Sequence, residues 1–238
     1  AHTLGNRVIL ITSEHLKDKN WPWHAIDEVF YVPEIAPSTW NIEHFTEGFA
    51  HLLSLGNVHA IVALDDYDVE KAALIRETFR IPGMGQTTHR NFRDKLAMRI
   101  KAQESGIAVP EFTPVFNDQT VTEFIEKNPA PWVLKPRSEA SATGIQKIKS
   151  EHELWEAIHK LGEQRYRYLL ESFKPGDVYH VDSLVFGSKV VFTSVSQYLA
   201  TPMEVSHQGG VFRTRTLAKK SAEYKALEKL NAKLLKSF

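Results

Sequence analysis

The chain has 238 residues, 42% of them apolar and 24% charged, with 29 basic and 29 acidic side chains and no cysteine. The length suggests roughly one to two domains, and the balanced charge excludes a global field for nucleic acid or an anionic membrane, while leaving a local basic patch open. Disulfides, thiolate chemistry and cysteine metal sites are excluded, no apolar run approaches the ~20 residues of a membrane span, and the opening AHTLGNRVIL lacks the layout of a signal peptide, so a cytoplasmic protein is expected.

Residues 7–12, RVILIT, are short, continuous and β-branched, which predicts a buried strand. DEVFYVPEI, around 27–35, predicts a second strand, ended by Pro33. Trp21 and Trp23 read as packing around a turn. NIEHFTEGFAHLLSLG places Ile42, Phe45, Phe49, Leu52 and Leu53 at helical spacing, with Gly56 at the expected stop. VHAIVALDD predicts a third strand with two aspartates at its end, and VEKAALIRETF a helix stopped by IPGMG. Asp65-Asp66 reads first as a helix N-cap signal, although ligands favour the carboxyl ends of parallel strands and Asp66 stays open as a substrate neighbour. Strands alternating with helices imply a parallel, doubly wound, Rossmann-like sheet.

From residue 89 the texture changes. NFRDKLAMRIKAQESG predicts one helix, IAVPEFTPVF an extended segment, and TVTEFIEKN a short helix. WVLKPRSEASATGIQKI predicts strand, loop and strand, and EHELWEAIHKLG another helix. YRYLLESF, VYHVDSLVF and KVVFTSVSQY predict strands, the last two joined as a hairpin at Gly187-Ser188. A polar segment at 199–216 and a helix at about 221–236 complete the chain. Hairpins with helices to one side imply an α+β layer after the α/β one.

Lys135 ends an apolar strand, so its ammonium must reach water or meet an anion. The loop after it carries Ser138, Ser141, Thr143 and Gly144, small residues whose backbone N–H groups can cradle a phosphate. It is not a P-loop, because the lysine precedes the loop instead of closing it at a helix start. By itself the pattern is equally that of a solvent-exposed lysine at a strand end.

An ordered set of motifs resembles the ATP-grasp superfamily, that is, carboxylate–amine ligases and biotin-carboxylase-like enzymes. NFRDKLAMRIKAQESGIAVPEF looks like the family's Asp-Lys helix and Gly-Ile/Val-Pro turn. WVLKPRSEASATGI is similar to its Lys-Pro strand and mobile loop, and YLLESFKPGDVYHVDSLV to its hinge strand and Pro-Gly-Asp turn. RIPGMG precedes the Asp-Lys helix, as in the family's leading domain. Each motif is unspecific alone; four in this order are specific, and together they cover nearly the whole chain.

The resemblance implies an N-terminal α/β domain at 1–88 and an ATP-grasp domain at 89–238, with a lid at about 107–172 and an incomplete core at 173–238. It implies that Lys95 and Lys135 contact the phosphates of ATP, helped by Ser141 and Thr143 of the loop. Glu171 would open the hinge that reads adenine, with the backbone of Ser172 and Phe173, and Asp177 and His180 would lie on the ribose side. Asp182 or Gln197 would lie near the phosphates, and His207 with Gly209-Gly210 would form a loop over the site or a plain surface loop. Lys95 as a helix-face ion-pair partner, Glu171 as a solvated strand residue and His180 as a surface strand residue are the rival readings.

Two departures stand out. Glu139 puts a negative charge in the phosphate loop, where relatives have more glycine. The family's magnesium ligands, a Glu and then a Glu-x-Asn pair, lie well downstream of the hinge, and after Gln197 this chain offers only Glu204, Glu223 and Glu228 as carboxylates. The expectation is an ATP-binding portion of a truncated ligase that uses ATP and Mg²⁺, acts on a small carboxylate and a small nucleophile, and is open to forming a homodimer. A biotin-carboxylase-like enzyme and a non-catalytic nucleotide-binding module are the alternatives.

Overall fold

Two short apolar strands open the protein in the computed structural model, which describes residues 1–36, 39–140 and 142–238. β1 (Ile9–Ser13) and β2 (Glu28–Val32) run parallel, in register from Ile9 beside Glu28 to Ser13 beside Val32. β3 (Glu34–Ala36) and β4 (Thr39–Trp40) form a small antiparallel pair. α1 (Ile42–Leu55) starts where the Asn41 side chain accepts the N–H of His44, a capping bond that satisfies an otherwise orphaned donor. α2 (Val69–Phe79) follows.

The first unit, residues 1–64 and 70–85, buries Val32, Trp40, Phe45, Phe49, Ile75 and Ile81. Helix α1 lies so close to β2 that a Cβ on Gly48 would fall 1.9 Å from Phe30 Cζ. Only a residue without a side chain permits that approach.

The third strand expected at VHAIVALDD is absent: residues 57–64 carry no strand assignment. Val58 and Ile61 still pack on the core, but Val62 and Leu64 are 74% and 83% exposed. The Ile61 carbonyl accepts Arg76 Nη2 at 2.5 Å, so a guanidinium takes a group that a neighbouring strand would have used. The apolar run therefore supplies core contacts without joining a ladder. Asp65 does not cap α2 directly; its side chain accepts the N–H of Tyr67 at 2.6 Å and closes a turn ahead of it.

The second unit comprises residues 65–69 and 86–238. The single helix expected at 91–106 is two. α3 (Gln86–Arg93) ends at Asp94, whose backbone is extended at φ −88° and ψ 108°, and α4 (Lys95–Glu104) begins after it. Asp94 accepts the N–H of Leu96 at 3.0 Å, and a short polar side chain that bonds its own backbone favours a cap over a helix interior. Lys95 is thereby the first residue of a new helix instead of a mid-helix residue.

β5 (Phe112–Pro114), α5 (Asp118–Lys127), β6 (Trp132–Pro136), β7 (Gln146–Ile148), α6 (Glu151–Leu161) and β8 (Tyr168–Ser172) follow. Among the described residues the strands make an antiparallel sheet in the order β5-β8-β6-β7. Its inner face and the two helices bury Val121, Phe124, Trp132, Leu134, Leu154 and Leu170. α5 and α6 are capped by Asn117 and Ser150.

β9 (Tyr179–Phe186) and β10 (Lys189–Tyr198) form the hairpin expected at Gly187-Ser188. α7 (Pro202–Gln208) and β11 (Thr214–Thr216) come next, β11 pairing with β10. α8 (Ala222–Ser237) lies against the hairpin, where Tyr224 donates to the Thr193 carbonyl at 2.9 Å and Asn231 to Ser183 Oγ at 2.7 Å.

Candidate nucleotide site

Strand alternation selects the polar face of the sheet. In β6, Trp132 and Leu134 are buried in the core shared with the helices, so Val133 and Lys135 point the other way. Lys135 stands opposite Leu169 and Val133 opposite Glu171, which makes Lys135 and Glu171 diagonal neighbours on that face. Their side chains, 11% and 6% exposed, form a short ion pair. The second oxygen of Glu171 accepts Arg99 Nε at 2.6 Å. Arg99 comes from α4, one helical turn after Lys95 and on the same side of the helix.

The loop after β6 is held by the other two cations. Arg93 Nη2 donates to the Ser138 carbonyl at 2.6 Å, and Lys95 Nζ donates to the Glu139 carbonyl at 2.5 Å. Arg93 also lies 5.2 Å over the Tyr67 ring, with Asp66 3.9 Å from its guanidinium. Arg137 forms a two-pronged ion pair with Asp94, one arm at 2.9 Å, and donates to the Tyr166 carbonyl at 2.9 Å. The Lys95 N–H donates to the Arg137 carbonyl at 2.9 Å, which fixes the start of α4 against the end of β6. Gly144 closes the loop at φ +71°, where an added Cβ would sit 2.9 Å from Pro136 Cγ.

These groups surround a cavity of about 350 Å³ whose lining includes Arg93, Lys95, Arg99, Lys135, Thr143 and the acidic pair Asp66 and Glu139. Burial lowers the proton affinity of Lys135, and Glu171 opposes that only in part. Burial likewise lowers that of Lys95, and repulsion from Lys135 and Arg93 adds to it. The chemistry of a cluster of partly desolvated cations suits an anion such as a phosphate group. Among the described residues no three His, Asp or Glu side chains gather as a metal cluster. The acidic residues on the cavity wall, Asp66 and Glu139, therefore do not make a magnesium cage by themselves.

The expected site residues do not all converge. Lys95, Lys135 and Thr143 share the cavity, and Glu171 is bound to its floor through Lys135. Ser172 ends β8 and Phe173 follows it, but their N–H groups already donate to the carbonyls of Glu111 and Pro131, at 2.9 and 3.0 Å. Asp177 and His180 are not among the cavity residues: Asp177 is exposed, and His180 Nδ1 lies 2.9 Å from Asp182. Ser141 lies outside the described residues. Gln197 accepts Arg215, and His207 Nε2 donates to the Ile145 carbonyl at 2.9 Å, so α7 reaches the end of the loop after β6.

Glu171 is not a solvated strand residue, and Lys95 bonds the loop instead of a helix-face carboxylate. Arg93, Arg99 and the Asp94–Arg137 pair were not anticipated. The i, i+4 spacing of Lys95 and Arg99 was the one signal that pointed to Arg99.

The Asp94 carboxyl is pushed up by burial, but the Arg137 bonds outweigh this and hold it below the usual carboxylate range. A depressed folded pKa gives stability that is present above the unfolded value, about 3.9, and lost as pH falls through the folded one. Asp94→Asn is therefore expected to lower stability at neutral pH and to flatten its fall under acid. Urea titrations of both proteins between neutrality and the acid limb check this; parallel curves would count against the pair.

No family model matches the chain. It is 25% identical over 181 residues to an L-arginine-specific L-amino acid ligase of Bacillus subtilis, covering 74% of this chain and 43% of that protein. The L-amino acid ligase structure from Bacillus licheniformis superimposes with a TM-score of 0.75 at 20% identity, over 99% of this chain and 55% of that one. The biotin carboxylase domain of a Hydrogenobacter thermophilus 2-oxoglutarate carboxylase, solved with MgADP, ADP and bicarbonate, gives 0.69 at 14% identity, over 98% and 53%. The chain thus spans about half the length of these relatives. No helix among the described residues is long and apolar enough to cross a membrane. Fold, motif order and these likenesses agree: the chain has the ATP-grasp fold, with an α/β unit ahead of it.

Proposed function

We propose that this chain is the nucleotide-binding portion of an ATP-dependent ligase that activates a small carboxylate as an acyl phosphate for attack by an amine or another nucleophile. The observation that carries this reading is the convergence of Lys95 and Lys135, from a helix start and a strand end, on one cavity. Similarity to L-amino acid ligases favours amino acids as the carboxylate and amine. In this reading 1–88 is the leading domain, 89–238 the ATP-grasp domain, about 107–172 the lid and 173–238 part of the core. The compartment is the cytoplasm, in keeping with the absence of cysteine.

ATP supplies the phosphoryl group, with Mg²⁺ as its partner ion. The chain's own residues bind and orient it. Lys95 and Lys135 meet the phosphate charge from a helix start and a strand end, and preorganised cations in a site shielded from water act more strongly than in bulk solvent. Thr143 and the loop backbone cover the anion, and Ser172 and Phe173, at and just past the end of β8, lie on the side of the base. Asp177 and His180 reach the ribose only if the β8–β9 turn closes on the ligand.

Calorimetry of ATP, ADP and adenosine with this chain tests the site. ADP is expected to bind more tightly than adenosine, and equal affinities would overturn the phosphate role. Trapping with hydroxylamine, on the protein encoded by the complete open reading frame and across a panel of amino acids, tests the reaction. Hydroxamate that depends on ATP and on one acid is expected. Bicarbonate-dependent ATP turnover without an amino acid would replace this reading with the biotin-carboxylase-like one. Binding without turnover would replace it with the non-catalytic one.

A further inference from the structure

Glu171 is almost fully buried and has two oxygens, each held by a different cation: Lys135 on one and Arg99, at 2.6 Å, on the other. The three side chains are 6%, 11% and 22% exposed, so solvent does little to compensate any of them. Lys135 and Arg99 both line the cavity, whereas Glu171 does not. The carboxylate sits behind its two partners, as an anchor to them and not as a group presented to a ligand.

This arrangement poses a difficulty for the phosphate role of Lys135. An ammonium that turns to a phosphate loosens its bond to Glu171. A buried carboxylate whose only partner leaves becomes an uncompensated charge, and that penalty would hold the lysine in place. Arg99 removes the difficulty, because its bond to the other oxygen is independent of where Lys135 points. It is also delivered by α4, the helix whose first residue is Lys95, so the helix brings one phosphate cation and the counter-charge for the other.

We propose that Arg99 is a positioning residue: it keeps Glu171 paired so that Lys135 can pass from that carboxylate to the phosphates of a nucleotide. This rests on the reading of the cavity as a nucleotide site. It differs from direct phosphate binding by Arg99, since the arginine acts through Glu171.

A double-mutant cycle with ADP and adenosine on the 238-residue chain separates these roles. Arg99→Gln is expected to weaken ADP by about tenfold or more, the loss of a charge-assisted contact, with adenosine unchanged. In a Glu171→Gln background, where no carboxylate needs pairing, the same Arg99→Gln change is expected to leave ADP affinity within about threefold. Arg99→Lys, which keeps the charge if the glutamine variant folds poorly, is expected to hold ADP close to the parent value. A loss of the same size in both backgrounds means that Arg99 touches phosphate itself and overturns the proposal. So does an Arg99→Gln chain that binds ADP as the parent does. If the parent binds no nucleotide at all, the nucleotide reading fails and this inference with it; if only the cycle fails, the reading stands.

Discussion

Glu171→Ala is expected to destabilise the second unit by about 3–5 kcal/mol, the cost typical of breaking a buried ion pair by removing one partner. Little of this comes from lost packing. The β8 strand keeps its pairing to Phe112 on one side and Val133 on the other. What is lost is the anion between two cations that are 11% and 22% exposed. Lys135 and Arg99 then repel each other across a site with little water. Urea unfolding of the variant beside the parent gives the value, and a change under about 1 kcal/mol, the size of a surface pair, would refute a buried, essential charge at this position. The pH dependence gives a second reading. Without Glu171 the folded form binds the Lys135 proton more weakly than the unfolded form does. Between the two pKa values the unfolded chain carries more protons, so the variant's stability rises as pH rises toward the alkaline range.

Lys135→Ala is expected to do the opposite: little to the fold and much to the ligand. Arg99 still pairs with Glu171, so no buried charge is orphaned. Phosphate-bearing nucleotides lose a charge-assisted bond of about 1.5–3 kcal/mol, which is roughly 10- to 150-fold in affinity. Adenosine is expected to lose almost nothing. Calorimetry with ADP and adenosine on parent and variant checks this, and equal losses for both ligands would remove Lys135 from the phosphate site. In the parent, burial has already lowered the lysine's proton affinity, against the pull of Glu171 and with the push of Arg99. ADP affinity is therefore expected to fall with rising pH before the ordinary lysine range is reached, and Lys135→Ala to remove that part of the profile.

What the sequence made legible was local. Helices whose first turn is capped by a polar side chain, at Asn41, Asn117, Ser150 and Ser221, were placed within a residue or two. The β9–β10 hairpin was readable because its turn residues lie between two β-branched runs. The illegible parts were those decided by distant partners. Residues 57–64 have a strand's composition, but a strand needs a neighbour, and the Ile61 carbonyl found Arg76 instead. The helix break at Asp94 depends on Arg137, 43 residues away, which holds the carboxylate that caps α4. Family resemblance brought Lys95 and Lys135 to attention, since each motif sits in its own short window. Arg99 is 72 residues from Glu171, and no local pattern joins them.

The carbonyls of Ser138 and Glu139, which hold Arg93 and Lys95, also bear on how fast a ligand enters. The cations do not wait bare in solvent. Each has a placeholder from the chain itself, a neutral dipole that a formal negative charge outcompetes. If the cavity takes a nucleotide as proposed, chloride and other weakly coordinating ions would gain little by the exchange, whereas a di- or triphosphate would replace both carbonyls in one event. On the proposed reading, residues 138 and 139, once released, would be free to turn toward the phosphates. Ligand entry would then be an exchange of partners, its rate governed by how readily the carbonyls of residues 138 and 139 release Arg93 and Lys95.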